Sequence, residues 1–377
     1  MSLRRVRAVF VKELRHISRD VRSLIMAVGL PAFLLVFFGF AISLDVDRIP
    51  TLILDGDGTP ASRELIARFL GSRFFRVTGF VDDLRIIERE IDTGRILLGV
   101  VIPHDFSEKT SASGQATVQL LLDGSDSNMA AIAKEYAEAA VRSFDLSLKQ
   151  AAQNRRTGER FDPPVDARIR ILYNPSLESK NYIVPGLIAV ILMIISALLT
   201  SSTIAREWET GTMEQLLSTP IRPAELVLGK MFAFFIIGAA DTLISVLVAI
   251  WLFNVPMRGS VWLLAAASCI FLTGVLFWGI FLSAVTKTQL LAYQLGIITS
   301  FLPGFLLSGF IYAVENMPTP MQAVTYMVPA RHFVTLLKGI FLKGTGIETL
   351  WPPLVLLIAY AVIIWALTTR KLKAKLA

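Results

Sequence analysis

The residues best suited to chemistry in this 377-residue chain run from Arg206 to Lys230, and their chemistry is recognition rather than bond-making. Thr212 stands three residues before Gln215, a capping-box spacing, and Gly211 eases the bend before it. Pro220 ends the short helix that this predicts, and Pro223 suits the first turn of the next one. One or two helical turns would then present Met213, Leu216 and Leu217 on one side, with Glu207, Glu209 and Glu214 nearby. A small apolar knob ringed by charge is a shape that a groove on a partner protein can grip. The plainer alternative is an interfacial helix that touches only lipid and its own neighbours.

Asp241 is the second candidate. It lies eleven residues beyond Lys230, or about 16 Å along a helix, which is near mid-membrane. An ionisable group there faces a cavity, a partner or water. It is read either as a cation or proton contact in a translocation path, or as a hydrogen-bonding clamp between helices or subunits. Other chemistries lack their residues. The Gly229-Lys230 pair has Ala224 where a phosphate-cradling loop needs its first glycine and Met231 where it needs Ser or Thr. His16, His104 and His332 are far apart, so no metal site is expected. Cys269, the one cysteine, excludes an intrachain disulfide and reads as a small buried apolar residue.

These residues are positioned by apolar segments. The chain is 54% hydrophobic with a mean hydropathy of +0.60, which predicts membrane spans. Its net charge of +7 is unevenly placed. Residues 45–181 hold 18 Lys and Arg against 21 Asp and Glu, and the remainder holds 19 against 9. The basic excess therefore flanks the apolar runs, which argues against nucleic-acid binding.

Residues 1–22 read as a basic amphipathic helix on an anionic membrane surface, or as a positive flank that sets topology. Residues 23–44 read as a first span. The loosely small-x-small Ala41-Ile42-Ser43 would suit signal cleavage, but the apolar run is long for that. From 45 to 180 the pattern alternates: strands at 51–55, 74–78, 95–102, 117–122 and 165–173, and helices at 59–70, 82–93 and 126–150, predicting a compact α/β domain. Five more spans follow near 182–204, 231–253, 260–285, 289–312 and 350–369. Residues 315–349, broken by Pro318, Pro320, Pro329 and Gly339, read as a re-entrant hairpin. The expected fold is thus a polytopic α-helical membrane protein with six transmembrane helices. An extracytoplasmic α/β domain is inserted between the first and second.

Lys and Arg concentrate in the segments that this topology places in the cytoplasm, including both termini, as the positive-inside rule requires. Gly304 and Ser308 form a small-xxx-small pair, a candidate dimer seam. Pro185-Gly186 and Pro303-Gly304 mark kinks, and Trp251, Trp262, Tyr312 and Trp351 suit an interfacial belt.

The run Glu209-x-Gly211-Thr212-x-Glu214-x-Leu216-Leu217-x-Thr219-Pro220, followed by Pro223, Glu225-Leu226 and Gly229-Lys230, resembles the signature loop of type-2 ABC export permeases. Residues 91–107, with Gly94, Gly99, Pro103 and Phe106, more loosely resemble the external domain of many such permeases. The resemblance implies a non-catalytic subunit whose 205–230 loop contacts a cytoplasmic ABC ATPase. Glu207, Glu209, Gly211, Thr212, Glu214, Leu216, Leu217 and Pro220 would be its coupling residues. No cofactor is expected in this chain, since ATP and Mg would belong to the partner. A second permease subunit, membrane lipid and a periplasmic adaptor are the other implied partners, with drug-like or amphipathic molecules as cargo. A secondary transporter built on Asp241, and a membrane receptor or scaffold built on the external domain, are the rival readings.

Overall fold

The computed structural model describes residues 2–19, 21–42, 48–111, 115–157, 172–175, 178–286 and 288–376. Within these, side chains are described except at 21–24, 26, 128, 152, 153, 155–157, 217 and 374–376. Two compact units are present, one of residues 1–43 with 170–377 and one of residues 44–169.

The chain opens with α1 (Leu3–Arg19) and α2 (Val21–Ala41), which carries Pro31 within it. On α1 the residues Val6, Val9, Glu13 and Ile17 recur at three- and four-residue steps and are buried. Its apolar face is therefore covered by protein rather than left for lipid.

The second unit begins with β1 (Ile49–Asp55), α3 (Pro60–Leu70), β2 (Phe75–Val81), α4 (Leu84–Asp92) and β3 (Leu98–Ile102). It continues with α5 (Phe106–Ser111), β4 (Gln119–Leu122) and α6 (Ser127–Thr157). The sheet order is β2-β1-β3-β4, with β1 parallel to both neighbours and β4 antiparallel to β3. Thr59 caps α3 and Asp83 caps α4, each accepting a backbone N–H from the first turn. The main core joins Ile53, Val100 and Ile102 of the sheet to Leu65 and Phe69 of α3 and to Ala137 and Phe144 of α6. On the other face Ile87 of α4 packs with Leu52 and Ile96. Helix α6 runs to Thr157, seven residues past its expected end at 150. The strand expected at 165–173 lies outside the described residues up to 171, and Leu172 and Tyr173 are not in a strand.

The first unit resumes with α7 (Ser179–Ser201), α8 (Thr203–Glu209), α9 (Thr212–Leu217), α10 (Pro223–Trp251), α11 (Val261–Val285) and α12 (Gln289–Leu306). After these come α13 (Thr319–Thr325), α14 (Pro329–Lys338), a π-helical turn at Gly339–Lys343 and α15 (Ile347–Leu376). Among the described residues five helices are long and apolar enough to cross a membrane: α7 with α8, α10, α11, α12 and α15. In α2 the described apolar stretch, Ala27–Ala41, is shorter. The chain is thus a mostly helical, multi-pass membrane protein.

Nearly all of α7 is buried, packed against α2, α10, α11, α12 and α14. Residues 315–349 form no single long helix. Their middle, α14, inserts Phe333, Leu336 and Leu337 into the core, and the Phe333 ring stacks 4.1 Å from that of Phe271 on α11. The fifth expected span ends early, because α12 stops at Leu306 rather than near 312. Pro185 and Pro303 both lie inside helices, and the Phe310 ring rests against the bare backbone of Gly186. Trp251, Trp262, Tyr312 and Trp351 are exposed, as an interfacial belt requires.

Two expectations are corrected by this packing. Cys269 is exposed on α11 rather than buried. Gly304 and Ser308 belong to a buried stripe with Ala292, Gly296 and Ser300. Gly296 meets Ser201 and Gly304 meets Met193 and Val190, so the stripe seats α12 on α7 of the same chain. Small residues let two helices approach, and here that approach is used within one subunit.

Candidate functional site

The connector begins where α7 breaks at Ser202. The first backbone N–H groups of a helix have no intrahelical acceptor. Here Ser283 Oγ on α11 accepts from Ile204 N at 2.8 Å and Ala205 N at 2.9 Å, fixing α8 to the bundle. The turn into α9 passes through Gly211, whose φ of +71° suits glycine and strains other residues. Gly211, not Thr212, is the N-cap of α9, which corrects the capping-box expectation. Thr212 is the first helical residue, and its hydroxyl faces back toward the Glu207 carbonyl at 3.4 Å and Thr210 Oγ1 at 3.0 Å. Beyond Pro220, Arg222 is extended and caps α10, with Pro223 in the first turn as expected. The Glu225 carboxylate accepts from Arg222 N at 3.0 Å and from Ser2 N at 2.6 Å.

The inner half of the connector is tied into the protein. Met213 is 1% exposed and packs with Val9, Ile204, Leu226 and Val227. Leu216 is half-buried against the same cluster, and the side chain of Leu217 lies outside those described. The apolar knob is therefore mostly turned inward. Glu207 is buried as well, not part of a charged rim.

Its partner is Lys230, whose ammonium is 1% exposed and carries three donors. It reaches Glu13 Oε1 at 2.8 Å, Glu207 Oε1 at 3.0 Å and the Thr203 carbonyl at 3.3 Å. Lys12 adds a second cation, 2.6 Å from Glu207 Oε1 and 3.5 Å from Glu13 Oε1. Two ammonium groups thus face two carboxylates: Lys230, Glu13 and Glu207 are withdrawn from water and must be matched, while the Lys12 side chain stays half exposed. Burial alone would raise the Glu13 carboxyl, but attraction to Lys230, then Lys12, outweighs it and holds Glu13 below its ordinary value. For Lys12, burial opposes the charge, while the bond and attraction to Glu207 win and raise it. The cluster joins α1, α8 and α10 at one point.

The outer half is anchored more lightly among the described residues, through the Pro220 carbonyl, which accepts from Arg5 Nη1 of α1. Glu214, Gln215, Ser218, Thr219 and Pro220 are exposed. Glu209 is exposed too, yet engaged: its carboxylate accepts from Gln289 N at 2.8 Å and Gln289 Nε2 at 2.5 Å, at the start of α12. Arg206 donates to Gln289 Oε1 at 3.1 Å and lies 3.0 Å from His16 Nε2.

Asp241 stands apart from this cluster, within α10. It is 2% exposed, and its Oδ1 has no hydrogen-bond partner among the described residues. No group of His, Cys, Asp and Glu among the described residues could hold a metal. Lys12 and Glu13 were missed by motif reading. The available signal was Glu13 itself, the one acid of α1, placed on that helix's apolar stripe.

Residues 21–370 match the family described as ABC-2 family transporter protein. The chain is similar to the probable multidrug ABC transporter permease YbhS of Escherichia coli K12, at 37% identity over all of this chain and 98% of that protein. It is also similar to the probable multidrug ABC transporter permease YbhR of the same strain, at 32% identity over 96% and 97% of the two chains. The inner membrane transport permease YhhJ of that strain is 27% identical over 95% and 94%. The chain belongs to the ABC-2 transporter family.

Proposed function

We propose that, within this family, the chain is the membrane-spanning, non-catalytic subunit of an ATP-driven exporter for drug-like or other amphipathic small molecules. The observation that carries this is the two-sided connector. Its inner half, at Glu207 and Met213, is locked to α1, α10 and α11. Its outer half, at Glu214, Gln215 and Pro220, is exposed. Such an element passes a push from outside directly to the helices it is tied to. The pushing partner would be a separate cytoplasmic ABC ATPase that binds ATP and Mg. Contact would come through Glu209, Glu214, Leu216 and Pro220, with Gly211, Thr212 and Glu207 holding the presented shape.

In this reading α2, α7, α10, α11, α12 and α15 are six spans in the inner membrane. Both termini are cytoplasmic, residues 45–180 are extracytoplasmic, and 315–349 is re-entrant. The lysines and arginines near the connector and both termini support that orientation. A second permease subunit completes the path, meeting an exposed face of α12 rather than its small-residue stripe. The external domain is the surface on which a periplasmic adaptor would act.

One observation favours a second reading, ion- or proton-coupled transport: the buried, unpartnered carboxylate oxygen of Asp241. Purification of the tagged full chain in mild detergent from native membranes separates the two. An ATPase that co-purifies in stoichiometric amount, and is lost on Glu214→Lys with Leu216→Asp, supports the exporter. A monodisperse chain without any ATPase overturns it in favour of ion coupling.

A further inference from the structure

A cavity of about 870 Å³ opens beside the charged cluster, bounded by α1, α2, α7, α8, α9, α10 and α12. It has two chemically distinct ends. Near the connector its wall is polar and includes Lys12, His16, Arg206 and Gln215. Deeper, it is lined by Leu30, Ile195, Leu198, Phe234, Ile237 and Ile297. Ile195 lies seven residues before Ser202, Ile237 seven beyond Lys230 and Ile297 eight beyond Gln289, so three helices carry the apolar end about 10–12 Å inward. The volume suits a small organic ligand.

The polar end adjoins the basic face of α1, since Lys12 and His16 belong both to that face and to the cavity wall. The same face carries Arg4, Arg7, Arg15 and Arg19, and these four make no ion pair among the described residues. The two carboxylates in the cavity wall, Glu13 and Glu207, are already matched to Lys230 and Lys12. Among the described residues Arg206 meets no carboxylate, and its guanidinium contacts Gln289 and His16. Because a guanidinium only donates, His16 Nε2 accepts from it and Nδ1 keeps the ring proton, leaving one more donor. Together the cavity wall and this face of α1 place seven lysines and arginines against two glutamates, with an aliphatic recess behind them.

We propose that this cavity binds one anionic amphiphile, its phosphate or carboxylate head held by Arg15, His16 and Arg206 and its hydrocarbon tail among Leu30, Leu198, Phe234 and Ile297. Charge-assisted bonds from guanidinium to phosphate select the head, and burial of the tail supplies most of the affinity. The site needs only a chain embedded in lipid, so it stands or falls independently of ATP-driven export.

Native mass spectrometry of the full chain, titrated with dodecyl phosphate or dodecyltrimethylammonium, tests it with one tail and two heads. One dodecyl phosphate per chain is expected, held about tenfold more tightly than the cation. Arg15→Glu with Arg206→Gln erases that preference, whereas Ile297→Trp or Leu198→Trp weakens both probes by about tenfold by filling the recess. Phosphatidylglycerol competing where phosphatidylcholine does not identifies the occupant as a bilayer lipid. Competition by dodecyl phosphate alone identifies a freely soluble amphiphile. Equal binding of the two heads, or binding untouched by both tryptophan variants in folded protein, overturns the proposal.

Discussion

Gly229 of α10 lies directly against Val9 of α1: a methyl group built on Gly229 would fall 2.6 Å from Val9 Cβ and 3.0 Å from the Val6 carbonyl oxygen. No side chain larger than hydrogen fits there without moving α1. The next residue, Lys230, then ties Glu13, one turn along α1. The Gly-Lys pair that closes the connector motif is thus a docking point, with a flat seat followed by a charged clamp.

Gly229→Val should lift α1 from α10, with an overpacking cost of about 1–3 kcal/mol. The check is thiol labelling of Val9→Cys in a Cys269→Ser background, since Cys269 is exposed. A buried Val9 predicts slow labelling in the parent and much faster labelling with Gly229→Val. Equal rates would refute the docking.

Lys230→Met leaves Glu13 and Glu207 buried beside Lys12 alone. Breaking a buried pair in this way costs about 3–5 kcal/mol. Neutralising all three residues, as Lys230→Met with Glu13→Gln and Glu207→Gln, should recover most of that loss. Thermal unfolding in detergent reads both, and a triple variant no better than the single one would show that packing, not charge, dominates.

Docking of α1 should weaken in acid. Glu13 is held below its ordinary carboxylate value, so its contribution is complete above that value and is lost as pH falls through the depressed folded one. Lys12 is raised, so its contribution is complete below the ordinary lysine value and is lost only in strong base. Amide hydrogen exchange of α1 should therefore accelerate below about pH 4.5, the unperturbed glutamate value. With Glu13→Gln that acid step should shrink, leaving the part owed to Glu225, whose carboxylate holds Ser2 N and Arg5 and is likewise held below its ordinary value.

Asp241→Asn should reduce transport by about tenfold or more if the charge contacts cargo or a coupling ion, the default for a carboxylate inside a membrane. Asp241→Leu should then unfold no earlier than the parent, because it removes an unpartnered buried oxygen. Transport retained in full by Asp241→Asn would assign the residue a structural role.

In the α/β unit Phe69 is fully buried and its ring lies 5.0 Å from that of Phe75. Phe69→Ala should cost about 3–5 kcal/mol. Chemical denaturation followed by a probe within residues 48–157 checks this, and a loss under 1 kcal/mol would place the core of that unit elsewhere.

Much of this protein was decided by composition and period alone. Long uncharged apolar runs specify helices that belong in a bilayer, because every backbone polar group there must be satisfied within the helix. Strand and helix periods alternating between residues 45 and 180 specify an α/β unit, and the 206–230 run points to the family by its residues. Each of these signals is local, carried by neighbours in the chain. What the sequence left open was which way each polar or small residue faces, since that depends on the element packed against it. Glu207 and Glu209 are two residues apart on α8. One is buried beneath Lys230, while the other reaches Gln289 at the start of α12. Gly304 and Ser308 read equally well as a seam between subunits or within one, and only the seating of α12 on α7 decides. The clamp between Glu13 and Lys230 spans 217 positions. No local pattern encodes such a pair, because its geometry exists only once α1 has folded back onto α10.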